Sequence, residues 1–494
     1  MKSHDSKTSE EPSCGKANRS PLHVPTNPIM FLMKTSLAIL TALIVSASSA
    51  SAAPPELTAR QKQLTRDIYK ELIEINTTDS VGNTTTASEA MAARLRAAGF
   101  AADDVKVLGP DPRKGNLVAR LRGSGKQKPL LLLAHLDVVE ARREDWSIDP
   151  FTFLEKDGFF YGRGTSDDKA MAAIWIANLI RYKEEGFVPN RDLIVALTAD
   201  EEGGTFNGVD WLIKNHRNLI DAELCLNEGG GGRSKKGKHL YNGVGASEKV
   251  YITFRLEATN KGGHSSVPQK TNAIYQIANA LTKLEKHTFP VKLNEVTRAY
   301  FKRMAQMESG PGAADMKALA ESNDAGAARR LSDLPVYNAL MRTTCVTTKL
   351  EGGHADNALP QMARATVNCR VLPGESTDEV RNTVERLIDD SAITISWIEE
   401  AKPSVASPLS ASIMKPIASL TNEFWPGVPV LPLMATGASD GLYLRNAGIP
   451  TYGVSGLFSE IDDIRAHGRD ERMGVQQFYD GTQFLYRLVK KLSS

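Results

Sequence analysis

The residues of this chain best suited to chemistry are histidines and carboxylates that directly follow apolar segments. His135 and Asp137 come at the end of the very apolar residues 129–134. Two positions apart on a strand, they point to the same side. Asp137 can therefore accept the second N–H of the His135 ring and fix the tautomer that binds a metal. A surface histidine at the end of a strand, with no metal, is the simpler alternative.

Two neighbouring carboxylates, Asp167 and Asp168, lie between a Gly-x-Gly segment at residues 162–164 and a helical pattern that begins at residue 169. Both could simply cap that helix and complement its dipole. A cap needs only one of them, however, and the glycines allow a close approach of the backbone. A carboxylate at this position can therefore bridge two cations.

The acidic triplet Asp200, Glu201 and Glu202 directly follows the apolar residues 193–198. Three adjacent carboxylates repel one another, so the segment is either well solvated or faces positive charge. A solvated loop is the ordinary explanation for such a triplet. Its position argues against that explanation, because the loop leaves the predicted sheet at the same edge as His135.

Glu228 and His467 complete the set of candidate metal ligands. Glu228 ends a short apolar segment and precedes four glycines, whereas His467 lies near the C-terminus. Alone, neither residue indicates a site. Together with His135, Asp167 and Glu202 they supply two histidines and three carboxylates, which suit two Zn(II) ions. Mn(II) or Co(II) would fit the same donors, because carboxylate-rich sites discriminate weakly between these metals.

The elements that must position these residues are buried strands and the helix between them. Residues 129–135 and 193–198 are continuously apolar, and the helical residues 169–185 separate them. This order predicts parallel strands of a βαβ unit that are covered on both faces. The polar residues then lie at the carboxyl ends of the strands, where open α/β sheets bind ligands.

The middle of the chain has a different pattern. Residues 250–257 alternate between apolar and polar, which predicts a strand with one wet face. The further predicted elements are a helix at 271–286, a helical region to about 341, strands at 342–350 and 363–371, a helix at 377–390 and a strand at 392–398. The sequence therefore predicts a compact α+β module inserted into an α/β domain.

The ordered motifs resemble one known family. H-x-D-x-V at His135, G-R-G-x-x-D-D-K, D-E-E-G-G, N-E-G-G and a late A-H-G are similar to those of zinc-dependent co-catalytic metallopeptidases. That family includes glutamate carboxypeptidase, aminoacylase, acetylornithine deacetylase, carnosine dipeptidase and carboxypeptidase S. The resemblance extends from about residue 60 to the C-terminus. As an ordered set, the motifs are far more specific than any one of them.

The resemblance implies a fold and a domain order. The fold is an α/β catalytic zinc-peptidase domain of the phosphorylase/hydrolase-like type, interrupted by a ferredoxin-like α+β lid and dimerisation domain. The expected parts are a leader with a signal peptide (1–52), the first catalytic segment (53–245), the lid domain (246–401) and the second catalytic segment (402–494). A homodimer formed through the lid domain is also implied.

The resemblance also implies how the metal ligands are shared. His135 and Glu228 would hold one zinc ion, Glu202 and His467 the other, and Asp167 would bridge both. The family further implies that the peptide bond after Asp167 is cis.

Two neighbouring residues would complete the catalytic group. Asp137 would orient His135, and Glu201 would be the general base. Cations lower the pKa of water toward neutrality, so Glu201 can take its proton and pass it to the leaving nitrogen.

Five further residues match substrate-contacting positions of the family. His264 would stabilise the oxyanion, from the partner subunit in many dimeric members. Asn357 and Arg370 would hold the carboxylate of the substrate, because an arginine fork binds carboxylates in a bidentate manner. A surface arginine on a strand is the alternative for Arg370. Gly437 and Ser439 belong to a segment that would line the substrate pocket.

Composition and charge exclude other classes. The fractions of apolar and charged residues among the 494 are those of a globular protein. The first 52 residues contain five Lys or Arg and three Asp or Glu, which leaves 55 of each in the remainder. This balance provides no electrostatic footprint for nucleic acid or for an anionic membrane.

The N-terminal segment has the pattern of a secretory signal peptide. Lys34 precedes an apolar run at residues 37–45, and small residues lead to an expected cleavage after Ala52. A membrane anchor is the alternative, but this run is too short for a hydrocarbon core of roughly 30 Å. We therefore expect an exported protein, periplasmic or secreted, with no stable membrane span after cleavage.

The cysteines do not form a zinc site, because the chain has no C-x-x-C pair. Cys345 and Cys369 would either pair in an oxidising compartment or remain buried free thiols, and the sequence does not decide between these states.

The pattern as a whole predicts a dinuclear zinc hydrolase that cleaves amide bonds of small peptides, of the carboxypeptidase or dipeptidase type. Residues 145–158 resemble carboxypeptidase S-like and dipeptidase-like members. An aminoacylase-type hydrolase of N-acyl amino acids is the alternative within this class. An inactive peptide-binding protein is the alternative from another class, although every expected ligand and the base are present.

Overall fold

Helices and strands alternate along residues 56–399 and 401–494, the part of the chain that the computed structural model describes. The helices are α1 (Ala59–Glu74), α2 (Thr84–Ala97), α3 (Lys169–Glu184), α4 (Gly208–Ile220), α5 (Ala273–Lys286), α6 (Glu295–Met307), α7 (Pro311–Ser322), α8 (Ala325–Leu331), α9 (Pro335–Met341), α10 (Thr377–Ile388), α11 (Ala411–Phe424), α12 (Gly441–Asn446) and α13 (Val475–Leu492). The expected signal peptide and its cleavage after Ala52 lie outside the described residues.

The strands fall into one large sheet and three smaller groups. They are β1 (Val105–Leu108), β2 (Asn116–Leu121), β3 (Leu130–His135), β4 (Leu154–Lys156), β5 (Phe159–Tyr161), β6 (Leu193–Thr198), β7 (Leu224–Asn227), β8 (Gly231–Lys235), β9 (Lys238–Glu248), β10 (Val250–Thr259), β11 (Gly263–His264), β12 (Thr344–Gly352), β13 (Ala358–Leu359), β14 (Met362–Val371), β15 (Ile393–Trp397), β16 (Val430–Ala435), β17 (Thr451–Gly453), β18 (Phe458–Glu460) and β19 (Arg472–Gly474).

Within the described residues, the large sheet has ten strands in the order β1-β2-β6-β3-β7-β17-β9-β8-β18, with β16 also paired to β9. At its centre, β6, β3, β7 and β17 are parallel neighbours. The predicted βαβ unit of β3, α3 and β6 is therefore present. Because these strands are parallel, their carboxyl ends meet at one edge of the sheet.

Helices cover both faces of this central part. Alternate residues of β3 face opposite sides: Leu130 and Leu132 pack in a core with α1, α2, α3 and α13, whereas Leu131 and Leu133 pack against α4 and α12. Burial on both faces explains why these strands are continuously apolar in sequence.

A second sheet has the antiparallel order β12-β14-β10-β15 and its own hydrophobic core with α5 and α10. The predicted β-α-β-β-α-β order is present in it. Cys345 and Cys369 are opposite each other on β12 and β14 and form a disulfide. The pairing that the sequence left open is thus present.

The helical segment α6–α9 packs differently from the sequence expectation. Its buried side chains, among them Val296, Phe301 and Leu319, belong to the core of the large sheet, and α6 contacts β16. Because the segment lies between two strands of the second sheet in the chain, its position in the sequence predicts that it belongs to the inserted module. The domain boundaries at 246 and 402 remain predictions.

Two short pairings complete the topology. β11 and β13 form a two-stranded ribbon, and β19, β5 and β4 form a small antiparallel sheet that joins the C-terminal segment to residues 154–161. Among the described helices, none combines the length and apolar character needed to span a bilayer.

Candidate metal centre and substrate pocket

Two histidines and three carboxylates from five separate segments meet at the carboxyl-end edge of the large sheet. Nε2 of His135 lies 3.0 Å from one oxygen of Asp167, and Nε2 of His467 lies 3.2 Å from the other. The same nitrogen of His467 is 2.8 Å from Glu202. The donor atoms of His135, Asp167 and Glu228, and those of Asp167, Glu202 and His467, lie within 4.8 Å of one another. The structure thus forms two triads that share Asp167.

The peptide bond between Asp167 and Asp168 is cis, as the resemblance implies. Asp168 is the first residue before α3, but its side chain makes no capping hydrogen bond. The capping alternative considered for this pair therefore does not describe Asp168.

Asp137 connects one triad to the other. Nδ1 of His135 lies 3.0 Å from the main-chain oxygen of Asp137 and 3.6 Å from its carboxylate. Because a carbonyl oxygen only accepts, Nδ1 carries a hydrogen, and Nε2 is the ring nitrogen that faces Asp167 and could bind a metal. The other carboxylate oxygen of Asp137 accepts the backbone N–H of Glu202 at 2.9 Å. Asp137 therefore orients His135 mainly through its backbone and places Glu202 with its side chain.

The charges at this edge fit divalent cations. Burial raises the pKa of Glu228 to about 8, and repulsion from Asp167 acts in the same direction. Burial also raises the pKa of Glu202, again with repulsion from Asp167. Among the described residues, one buried oxygen each of Asp137 and Asp168 has no hydrogen-bond partner. Cations held here would compensate this negative charge.

Glu201 lines the same pocket as Glu202 and His467. Burial raises its pKa well above the usual range, and repulsion from Glu228 and Asp440 adds to that effect. A carboxylate at this place can exchange a proton with a molecule held in the pocket.

A buried ion pair secures the loop of the acidic triplet. Nζ of Lys114 lies 2.5 Å from Asp200 and 2.6 Å from Asp79, and the side chain of Asp200 is fully buried. The second oxygen of Asp200 accepts the backbone N–H of Phe206 at 3.0 Å. The first acid of the triplet is therefore structural, and it holds the loop that presents Glu201 and Glu202.

A second buried pair secures the loop that carries Asp167. Nη1 of Arg163 lies 2.6 Å from the carboxylate of Glu471, and both side chains are buried. The guanidinium of Arg163 also lies 4.9 Å from the centre of the Trp146 ring. Removing one member of a buried ion pair typically costs about 3–5 kcal/mol.

A cavity of about 550 Å³ opens beside the triads. Its walls include Glu201, Glu202 and His467, and also the cations Lys249, Arg370 and Lys402. Volumes of roughly 300–1,000 Å³ are typical of pockets for small ligands. Carboxylates that can hold cations and side chains that can hold an anion therefore share one pocket.

Arg370 is half-buried at the surface of this pocket. Its guanidinium lies 4.6 Å from the centre of the Tyr251 ring, and Nη1 lies 3.5 Å from the main-chain oxygen of Thr436. Nearby, the ammonium of Lys249 donates to the main-chain oxygen of Arg342 at 2.7 Å, and burial lowers its pKa to about 8.

The segment with Gly437 and Ser439 also lines the pocket, but Ser439 points to a third buried pair. Its hydroxyl donates to Glu248 at 2.8 Å, and Glu248 forms an ion pair with Arg445. The next residue, Asp440, accepts from Asn207 at 2.6 Å and from Thr198 at 3.1 Å. Burial raises the pKa of Asp440 to about 6.

His264 is on β11 and Asn357 directly precedes β13, and neither residue lines this pocket. His264 pairs with Ala358, and the backbone of Asn357 accepts the N–H of Ser265 at 2.9 Å. Both side chains are exposed. Nδ1 of His264 accepts from the hydroxyl of Ser266 at 2.7 Å. The structure thus brings these two residues to each other, not to the metal triads of the same chain.

Sequence reasoning did not identify the buried ion pairs that hold the loops of the site. Their members include Lys114, Asp200, Glu248, Arg445 and Glu471. Asp200 is within the D-E-E-G-G motif and Glu471 lies four residues after His467, but neither position reveals which cation the carboxylate contacts. The partners lie far away in sequence, so no local spacing could have found them.

A cluster of this kind is suited to hold cations against a substrate, as the active sites of metal-dependent hydrolases do. The model of the family described as Peptidase family M20/M25/M40 matches residues 131–491. The chain belongs to this family of peptidases and amidohydrolases. The family expected from the motifs is thereby confirmed.

Similar proteins are known from both sequence and structure. A protein of Dictyostelium discoideum named probable carboxypeptidase S-like 2 is 32% identical over 380 residues, 74% of this chain and 71% of that protein. The N-fatty-acyl-amino acid synthase/hydrolase PM20D1 of Xenopus tropicalis is 29% identical over 372 residues, 73% of this chain and 72% of that protein.

A solved structure, that of the M20 family metallo-carboxypeptidase Sso-CP2 from Sulfolobus solfataricus, has a TM-score of 0.66 at 17% identity. The match covers 87% of this chain and 99% of that chain. At this identity the likeness shows the fold alone, and it agrees with the predicted α/β class.

Proposed function

We propose that this chain is an exported dinuclear zinc hydrolase that cleaves the amide bonds of small peptides. The observation that carries this proposal is the pair of triads sharing Asp167, beside a pocket that Glu201 and Arg370 both line. The two triads supply donors for two cations, and the pocket offers room for a small substrate.

In this proposal His135, Glu228 and Asp167 hold one zinc ion, and Glu202, His467 and Asp167 hold the other. Imidazole nitrogen and carboxylate oxygen are both common zinc ligands. The same donors would also bind Mn(II) or Co(II). Bound cations would lower the pKa of a water molecule and polarise the carbonyl of the substrate.

Glu201 then moves the proton. Its carboxylate accepts a proton from water while the water oxygen adds to the amide carbon. It returns that proton to the nitrogen as the C–N bond breaks, so the products are a carboxylic acid and an amine, which then ionise to carboxylate and ammonium. Its place in the pocket, next to Glu202 in sequence, supports this role.

Arg370 supports a carboxypeptidase or dipeptidase type of reaction. Peptides of these types end in a free carboxylate, and an arginine fork is the side chain best matched to it. Asn357 is proposed to contact the same carboxylate, and Gly437 and Ser439 are proposed to shape the pocket wall. The hydrogen bond from Ser439 to Glu248 supports a positioning role for that serine.

We further propose that the module of residues 246–401 is a lid and dimerisation domain. His264 would stabilise the oxyanion of the substrate from a partner subunit. Its exposed place on the β11–β13 ribbon, outside the pocket of its own chain, supports this arrangement. Export is supported by the disulfide between Cys345 and Cys369, because disulfides persist mainly in oxidising compartments.

Hydrolysis of N-acyl amino acids is the second candidate. The similarity to the N-fatty-acyl-amino acid synthase/hydrolase PM20D1 favours it, and such a substrate also ends in a carboxylate. An inactive peptide-binding protein is disfavoured because the five candidate ligands and Glu201 are all present at one edge.

One set of assays separates these functions. The zinc-loaded protein is assayed on dipeptides, C-terminal peptide substrates and N-acyl amino acids, with and without a chelator. Peptide turnover that stops on chelation and returns with zinc supports the proposal. Turnover of N-acyl amino acids alone would favour the second candidate. Binding of peptides without any turnover would favour the inactive protein.

A further inference from the structure

Glu471, near the C-terminus, is a fully buried carboxylate that lies outside both ligand triads. One of its oxygens accepts the backbone N–H of Ser166 at 2.6 Å, that of Asp167 at 3.1 Å and the hydroxyl of Ser166 at 2.8 Å. The other accepts the backbone N–H of Gly164 at 3.1 Å and Nη1 of Arg163 at 2.6 Å. One side chain thus holds the whole loop that presents the shared ligand.

The backbone of Glu471 also connects this loop to the segment that carries His467. Its main-chain oxygen accepts the N–H of Gly162 at 3.2 Å, and the next residue, Arg472, pairs with Tyr161 between β19 and β5. Nη2 of Arg163 reaches the main-chain oxygen of His467 at 3.5 Å. The loops of Asp167 and His467, some 300 residues apart in sequence, are therefore joined at Glu471.

We propose that Glu471 is a positioning residue for the second metal site, the triad of Asp167, Glu202 and His467. It sets the placement of Asp167 relative to His467 and so determines the affinity for the ion between them. This inference rests on the proposed function. The first triad depends on it less, because the ring of His135 is oriented by Asp137 instead.

Chemistry explains why a carboxylate is needed at this position. All five groups that face Glu471 are donors, and a carboxylate only accepts. A glutamine of the same shape would turn an NH₂ group toward some of these donors. The loop would then shift, and partners that orient metal ligands typically change metal affinity by about 10–100-fold when they are lost.

The test is a zinc titration of the metal-free full chain against a chromogenic chelator, which resolves two stepwise affinities. Glu471→Gln is expected to weaken the second step by about 10–100-fold. The first step should weaken by a clearly smaller factor, because Asp167 also belongs to the first triad. Turnover number at saturating zinc should stay close to wild type, so that excess zinc rescues the variant.

Glu423→Gln is the matched control. Glu423 also forms an ion pair with an arginine, Arg487, but it links α11 to α13 and lies outside both triads. Both zinc affinities should be unchanged in this variant. Should Glu471→Gln fail to fold, Ser166→Ala removes a single one of the five hydrogen bonds and should weaken the second step in the same direction, by a smaller factor.

The outcomes separate this inference from the proposed function. If Glu471→Gln binds both zinc ions with wild-type affinity, the positioning role of Glu471 is overturned and the proposed function still stands. Equal weakening of both steps would also overturn it, because it would indicate a general loss of structure. A wild-type chain that binds no zinc would overturn the proposed function and this inference with it.

Discussion

The metal-ligand edge of the large sheet and the β11–β13 ribbon both carry residues that the sequence assigns to chemistry, yet they differ in construction. At the edge, the loops of the ligands are tied to buried ion pairs such as Lys114–Asp200 and Arg163–Glu471. On the ribbon, His264 and Asn357 are exposed and contact mainly their own turn. The proposed cation-binding residues therefore come together within one chain, whereas His264 and Asn357, proposed to contact the oxyanion and the carboxylate of the substrate, are exposed.

The largest effect is expected at the ligand that both triads share. Asp167→Ala should remove both zinc ions and reduce turnover to background, since each triad would lose a donor. The loss of metal affinity should exceed the about 10–100-fold change typical of outer partners. Both losses are measured on the purified variant, as zinc content per chain and as turnover. The exposed Asp103→Ala is the control, and an Asp167→Ala variant with two tightly bound ions would contradict the shared role.

The next effect tests whether the ribbon takes part in catalysis. His264→Ala should lower kcat by about 10²–10³-fold, as expected for the loss of an oxyanion donor, with zinc content unchanged. His354→Ala, a change of another exposed histidine, should leave kcat unchanged. Full activity of His264→Ala would show that the ribbon differs from the metal-ligand edge in structure but takes no part in catalysis through His264.

Mixed dimers sharpen the same comparison. When His264→Ala chains are co-expressed with Glu201→Gln chains, a mixed dimer contains one site with both residues intact, provided that His264 acts on the partner. Activity should then return well above that of either variant alone. Absence of recovery in a dimer shown to be mixed would place His264 in its own chain or outside the reaction.

A smaller effect is expected at the anion-binding wall of the pocket. Arg370→Ala should raise KM by about 10–100-fold with little change in kcat, because a charged hydrogen bond contributes roughly 1.5–3 kcal/mol. Arg364→Ala, on the same face of β14 but outside the pocket, is the matched control. A drop in kcat without a change in KM would assign Arg370 a different role.

The smallest effect on activity is expected at the disulfide of the second sheet. Replacing Cys345 and Cys369 together by alanine should lower the free energy of unfolding by about 2–4 kcal/mol. Turnover at low temperature should persist, since neither cysteine lines the pocket. Denaturant unfolding with and without a reducing agent measures the change. Equal midpoints for both proteins would show that the bond does not stabilise the chain.

Much of the fold was predictable because its central strands are buried on both faces. The apolar runs that became β3 and β6 left no alternative face for polar residues, and the carboxylates that follow them mark the ligand edge. The period-two pattern of β10 and the helices of the second sheet were equally visible. In each case a local pattern carried the information.

The rest depends on contacts between distant segments. Helices α6–α9 pack on the large core, although the chain enters and leaves them through the second sheet. The partnership of Arg163 with Glu471 spans 308 positions, and a single buried glutamate has no periodic signature. The ion pairs of Arg163 with Glu471 and of Lys114 with Asp200 could therefore not be derived from the spacing of residues in the sequence.

The most direct test of the central claim is metal content measured together with turnover for the wild type and Glu201→Gln. We expect two zinc ions per chain in both proteins and a loss of at least about 10²-fold in turnover in the variant. Activity that persists in a chain free of metal, or undiminished turnover of Glu201→Gln, would contradict the claim.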